Sequence, residues 1–167
     1  MFLPFFTHTN EKSGGLNVKI ALMEHLPILE TFLIETAGKS PFQKNLTIEK
    51  VSPDETYDLI LSDLSWYSPK GFSAASMILI PSYAHVIAPP ENGLLLTGGM
   101  NQADPVTLSS IREDRAMLCL QQEISLFGNS VYPFEKPIPF NRSFSLYKNL
   151  AVGFALSLAE QIFGEDV

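Results

Sequence analysis

The chain has 167 residues, of which 46% are hydrophobic and 17% charged. That length suits one domain with a real core; the apolar content excludes a disordered chain, and the 12 prolines exclude a coiled coil. The net charge of −7 argues against direct nucleic-acid binding, which needs a basic surface.

Residues 1–16 read as an N-terminal arm ending in Ser13-Gly14-Gly15, and residues 17–167 as a single α/β domain. The run Met1 to Phe6 is apolar but has no basic residue ahead of it, so it does not read as a signal peptide. Asn17 to Met23 is mostly apolar, the pattern of a strand covered on both faces. From about Leu26 to Ala37 a helix is predicted, because Leu26, Leu29, Phe32 and Leu33 recur at helical spacing. Pro27 is acceptable in its first turn and Gly38 is a good stop. Leu46 to Val51 alternates like a half-exposed strand, and Ser52 to Glu55 reads as a turn.

Tyr57 to Ser62, Met77 to Ile80 and Gly93 to Thr97 give three more strands, and Val106 to Ser109 a sixth. The connections 65–76 and 83–92 are too long for simple turns, and such segments often carry function. Ser110-Ile111-Arg112-Glu113 matches a capping box, which predicts a helix through Gln122 that stops near Gly128. Prolines 133, 137 and 139 keep the following segment extended, so residues 132–140 are expected to lie along a surface. A last helix covers Leu146 to Phe163, with Val152, Ala155, Leu156, Ala159 and Ile162 on one apolar face. Phe154, Leu158 and Phe163 widen that stripe and suggest self-association as a homodimer. The fold expected is α/β: a mainly parallel or mixed open sheet of five to six strands with flanking helices, opened by a right-handed crossover.

In open α/β sheets, ligands sit beyond the carboxyl ends of the strands. That rule selects Glu24 and His25, then Ser62 and Asp63, then Ser82 and His85, then Thr97, Gly98 and Gly99. Gly98-Gly99 either presents backbone N–H groups to an anion or makes a tight turn; it fits neither G-x-G-x-x-G nor a P-loop. Arg112, near the start of the predicted capped helix, opposes the helix dipole. It therefore marks an anion site or a salt bridge with the neighbouring acids. His25, His85 and Asp63 form a candidate acid–base set, although the nucleophile-elbow pattern G-x-S-x-G is absent. The single cysteine, Cys119, allows no internal disulfide and no paired-cysteine metal site. It reads as a small buried hydrophobe on the predicted helix. No metal and no cofactor is expected. The apolar run Leu150 to Ala159 is too short to cross a bilayer, and a cytoplasmic location is expected.

Residues 17–64, with their strand, helix, strand and Tyr57-Asp58-Leu59-Ile60-Leu61-Ser62, resemble a sugar-phosphotransferase IIB-like domain. Degenerate forms of that domain occur at the ends of some bacterial transcription regulators. The same outline is similar to one lobe of periplasmic-binding-type effector domains. The resemblance implies a regulatory role. It does not imply phosphotransfer, because Met23-Glu24-His25-Leu26 stands where an active IIB domain has its cysteine. The reading that follows is a small regulatory or ligand-binding domain acting through a protein partner or a small polar or anionic metabolite. A small cytoplasmic enzyme using the Asp/His groups, and an assembly protein working through its aromatic loop and proline-rich tail, are the alternatives. An enzyme needs two titratable groups within hydrogen-bond reach in one pocket.

Overall fold

The computed structural model describes residues 17–23, 27–39, 43–52, 55–62, 75–85, 93–126 and 129–163. In chain order its elements are β1 (Val18–Leu22), α1 (Pro27–Ala37), a short 3-10 turn (Gln43–Asn45), β2 (Leu46–Lys50), β3 (Tyr57–Leu61), β4 (Ala75–Pro81) and β5 (Leu94–Gly99). Then come β6 (Val106–Ile111), β7 (Arg115–Leu120), β8 (Ile124–Leu126), β9 (Asn129–Val131), β10 (Phe134–Pro139) and α2 (Leu146–Phe163). Eight strands form one sheet in the order β10-β7-β6-β5-β4-β3-β1-β2, and β8 pairs with β9 in a separate hairpin. Strands β1 to β6 pair in parallel throughout, and β7 runs antiparallel to both β6 and β10. The fold is thus α/β with a mostly parallel, mixed open sheet and flanking helices. The sheet has eight strands where five to six were expected.

Both extra strands come from segments the sequence patterns assign otherwise. The predicted helix from Ser110 to Gln122 is the end of β6, a tight turn and β7. The Arg112 amide donates to the Arg115 carbonyl at 2.8 Å and closes the hairpin. The deciding pattern is the period of two. Ala116, Leu118 and Leu120 are buried while Met117 and Cys119 are half-buried, and Val106 and Leu108 point the same way across the ladder. Tertiary pairing overrides the helix propensity of these residues. Cys119 is accordingly a half-buried strand residue, not a buried helical one.

The 132–140 segment contributes β10, the sheet edge. Pro137 and Pro139 lie two apart, so both missing N–H groups fall on the same side, away from the ladder that Lys136 and Ile138 make with β7. The prolines also blunt this edge against further strand addition.

The larger core lies on the face covered by both helices. There α2 packs on β5, β6, β7 and β10 and against α1. Gly153 permits the approach to β10: a side chain there would run into Ile138. Phe154, Leu158 and Phe163, expected to widen an external stripe, are buried within this core. At the start of α2, Ser145 caps the helix by accepting from the Lys148 amide at 3.2 Å. The Tyr147 hydroxyl donates to the Leu79 carbonyl at 2.8 Å, tying α2 to the middle of the sheet. Buried Asn149 fastens the preceding turn: it accepts from the Asn141 amide at 2.7 Å and donates to the Asn141 carbonyl at 2.9 Å. The Phe144 ring stacks on Phe32 of α1 with centroids 4.4 Å apart. No helix among the described residues is long and apolar enough to cross a membrane.

On the opposite face, Ala21, Ile60, Ile78 and Ile80 form a smaller buried cluster. Toward the amino edge of that face Lys19 sits over the Tyr57 ring and pairs with Glu55 at 2.6 Å and Glu49 at 2.9 Å. Those two carboxylates hold its pKa above the ordinary lysine range. Asp58 accepts from the Lys19 amide at 2.6 Å, yet burial pushes its carboxyl above the usual carboxylate value. The folded state then holds that proton more tightly than the unfolded chain, so stability falls as pH rises from the ordinary carboxylate range through the raised value. Asp58→Asn removes this loss and keeps an acceptor for the Lys19 amide. Near neutrality it should be as stable as the parent or more so, while Asp58→Ala should lose about 1 kcal/mol or more by leaving that amide unpaired. Urea unfolding of both variants checks the order.

Candidate functional site

The strand order 2-1-3-4-5 reverses direction between β1 and β3, and the crevice beyond the carboxyl ends at such a point is where open α/β sheets take ligands. Of the residues selected there, Glu24, His25 and Asp63 lie outside the described residues, as do the N-terminal arm and residues 65–74 of the long connection after β3. Ser62 follows β3 and is 1% exposed; its amide donates to the Leu79 carbonyl at 3.0 Å.

The next strands along bring polar groups together. Ser82 follows β4, and its amide donates to the Gly98 carbonyl at 3.0 Å. Gly98 and Gly99 end β5 in regular parallel pairing, Gly98 opposite Val106 and Gly99 opposite Thr107. Their lack of side chains is used for space. A Cβ on Gly98 would come within 2.7 Å of a Leu150 methyl, and one on Gly99 would lie 2.7 Å from Asp104 Oδ2 and overlap Ser82 Oγ. Gly98 is therefore a packing position under α2, whereas Gly99 sits between two polar side chains.

Asp104 is the residue that the strand-end rule missed. It is 5% exposed and lies in the turn from β5 to β6. Oδ1 accepts from the Thr97 hydroxyl at 3.0 Å and Oδ2 from the Asn101 amide at 3.1 Å. Its own amide donates to the Asn101 carbonyl at 3.0 Å, and its carbonyl accepts from Gln121 Nε2 at 3.0 Å. The sequence does carry a signal here: Asn101 and Asp104-Pro105 are turn-forming residues, and Asp favours bonding to a nearby backbone amide. The result is a carboxyl group fixed by a hydroxyl and an amide at the carboxyl edge, beside Ser82 and Gly99. A carboxylate has about four acceptor positions, so this one has capacity left for a donor on a bound molecule.

His85 is exposed, beyond the turn in which the Ala84 amide donates to the Pro81 carbonyl. Arg112 lies at the exposed tip of the β6–β7 hairpin. From Val106, level with Gly98, the strand rises roughly 20 Å to reach it, so Arg112 does not join the Ser82–Asp104 group. It is also not at a helix start, and the dipole argument does not apply. Beside it, Arg115 pairs with Asp114 at 3.3 Å and holds that carboxyl below its ordinary value. Among the described residues, no group of three or more His, Cys, Asp or Glu side chains is placed to hold a metal ion. Compared with family models, curated proteins and solved structures, the chain finds no match in any of the three.

Proposed function

We propose that this protein is a small regulatory domain that binds a small polar metabolite at the carboxyl edge of its sheet. The observation that carries the reading is Asp104, held rigid by Thr97 and Asn101 beside Ser82 at that edge. A fixed acceptor favours a ligand with hydroxyl or ammonium donors over a plain anion. The parallel β1-α1-β2 unit followed by β3 is the part of the fold that supports a IIB-like regulatory ancestry for residues 17–64. A cytoplasmic homodimer belongs to the same proposal, and it rests on the low charged fraction of 17%. The enzyme reading rests on His25 and Asp63, which lie outside the described residues, and on His85, which is exposed.

The test is a panel of sugars, amino acids, polyamines and their phosphates, screened by thermal shift and then by backbone-amide NMR. The expected result is a ligand that raises the melting temperature and shifts the amides of Ser82, Thr97, Gly99 and Asn101. Ser82→Ala should weaken it roughly five-fold, the loss of one hydrogen bond. Amide shifts confined to other parts of the fold, or a sugar phosphate bound through its phosphate alone, would defeat the proposal. Light scattering on the same sample reads the dimer, which a monomer at micromolar concentration would exclude.

A further inference from the structure

A cavity of about 270 Å³ lies between α1, α2 and the edge strand β10. Its walls include Phe32 of α1, Ile138 of β10, and Val152 and Leu156 of α2. Its lining surface is mostly apolar. Ser157 lines it and is 3% exposed, and among the described residues its hydroxyl has no hydrogen-bond partner. Buried polar side chains are normally paired, so an unpaired one lining a cavity points to a partner that arrives from outside. One turn further along α2, Glu160 pairs with Lys136 of β10. Lys39, just past α1, also lines the cavity and makes no ion pair among the described residues. Among the described residues, two lysines and one glutamate thus line the cavity. Burial lowers the Lys136 pKa from its ordinary value.

We propose that this cavity binds a short-chain fatty carboxylate. The chain lies over Phe32, Ile138, Val152 and Leu156. The head group sits between Lys39 and Lys136 and accepts a hydrogen bond from Ser157. The volume falls just under the roughly 300–1,000 Å³ of drug-sized sites, which suits a short chain and excludes a phospholipid. The site is on the helix-covered face, separate from the carboxyl edge, so either assignment can fail alone.

The experiment titrates the full chain with sodium octanoate, by calorimetry and by NMR of methyl groups. One-site binding with shifts at Ile138, Val152 and Leu156 is expected. Octanol, without the charge, should bind roughly tenfold more weakly, and Lys39→Glu should weaken octanoate by a similar factor. Leu156→Trp should fill the cavity and remove binding; if that variant does not fold, the octanol and Lys39→Glu arms decide, since Lys39 is exposed. Equal binding of octanol and octanoate, binding unchanged by Lys39→Glu, or shifts centred on Thr97 and Asp104 would overturn the assignment. Preference for phosphatidylglycerol vesicles over free octanoate would overturn it as well.

Discussion

Phe154→Ala should cost about 3–5 kcal/mol of unfolding free energy. Phe154 is fully buried, on the helix that covers β5, β6, β7 and β10. Its neighbours have little freedom to close a void. Gly153 fits against Ile138 with no room for a side chain, and Leu150 fills the space above Gly98. The Tyr147 and Asn149 hydrogen bonds fix the start of the helix. A helix held at these points does not slide to fill the cavity, so the cost belongs near the top of the range. Whole-domain stabilities are about 5–15 kcal/mol, so the variant should lose a large share of its stability. Phe154→Leu should recover much of the loss. Urea unfolding followed by circular dichroism measures both. A loss under about 1 kcal/mol for the alanine variant would mean that α2 does not close this core.

The same contacts explain what the sequence reveals and what it hides. The helix over Leu146 to Phe163 is legible because a periodic apolar pattern ends near a glycine, and the observed bounds agree. The helix at Pro27–Ala37 and strands β1 to β5 are legible for similar local reasons. The β6–β7 hairpin is not. Ser110 and Glu113 match a capping box, and Ala116, Met117 and Leu118 favour a helix, but these are local terms of less than 1 kcal/mol per residue. Pairing of Val106 with Leu120 and of Phe134 with Leu120 on the other side is non-local. Only the alternation of Ala116, Leu118 and Leu120 hints at it. The prolines at 137 and 139 argue against a central strand and are compatible with an edge, so the segment reads as extended while its pairing with β7 is invisible in the sequence.

The candidate site divides in the same way. Ser82 and Gly99 are found because they stand at strand ends. Asp104 is not, because it reaches back to Thr97 from the next turn, and that return depends on β6 continuing beside β5 above the level of Gly98.

Asp104→Ala is the second variant with a large expected effect, about 2–4 kcal/mol of stability. It leaves the Thr97 hydroxyl and the Asn101 amide without their acceptor in a site that is 5% exposed. Asp104→Asn keeps one acceptor oxygen and should lose roughly half as much. Thr97→Val removes the donor and leaves the acid, and should cost about 1 kcal/mol. The double variant Thr97→Val/Asp104→Ala should therefore be less destabilised than the sum of the two singles, because the hydroxyl that Asp104→Ala strands is already gone. Chemical unfolding of the four proteins gives this coupling directly, and strict additivity would mean that the bond does not hold the turn. Ligand binding separates the two roles of the group. If the carboxyl serves only the turn, Asp104→Asn and Thr97→Val lose affinity in proportion to their loss of stability. If its remaining acceptor positions serve a bound molecule, Asp104→Asn loses roughly tenfold in affinity for a hydroxylated or ammonium ligand while Thr97→Val, folded around an intact acid, keeps it.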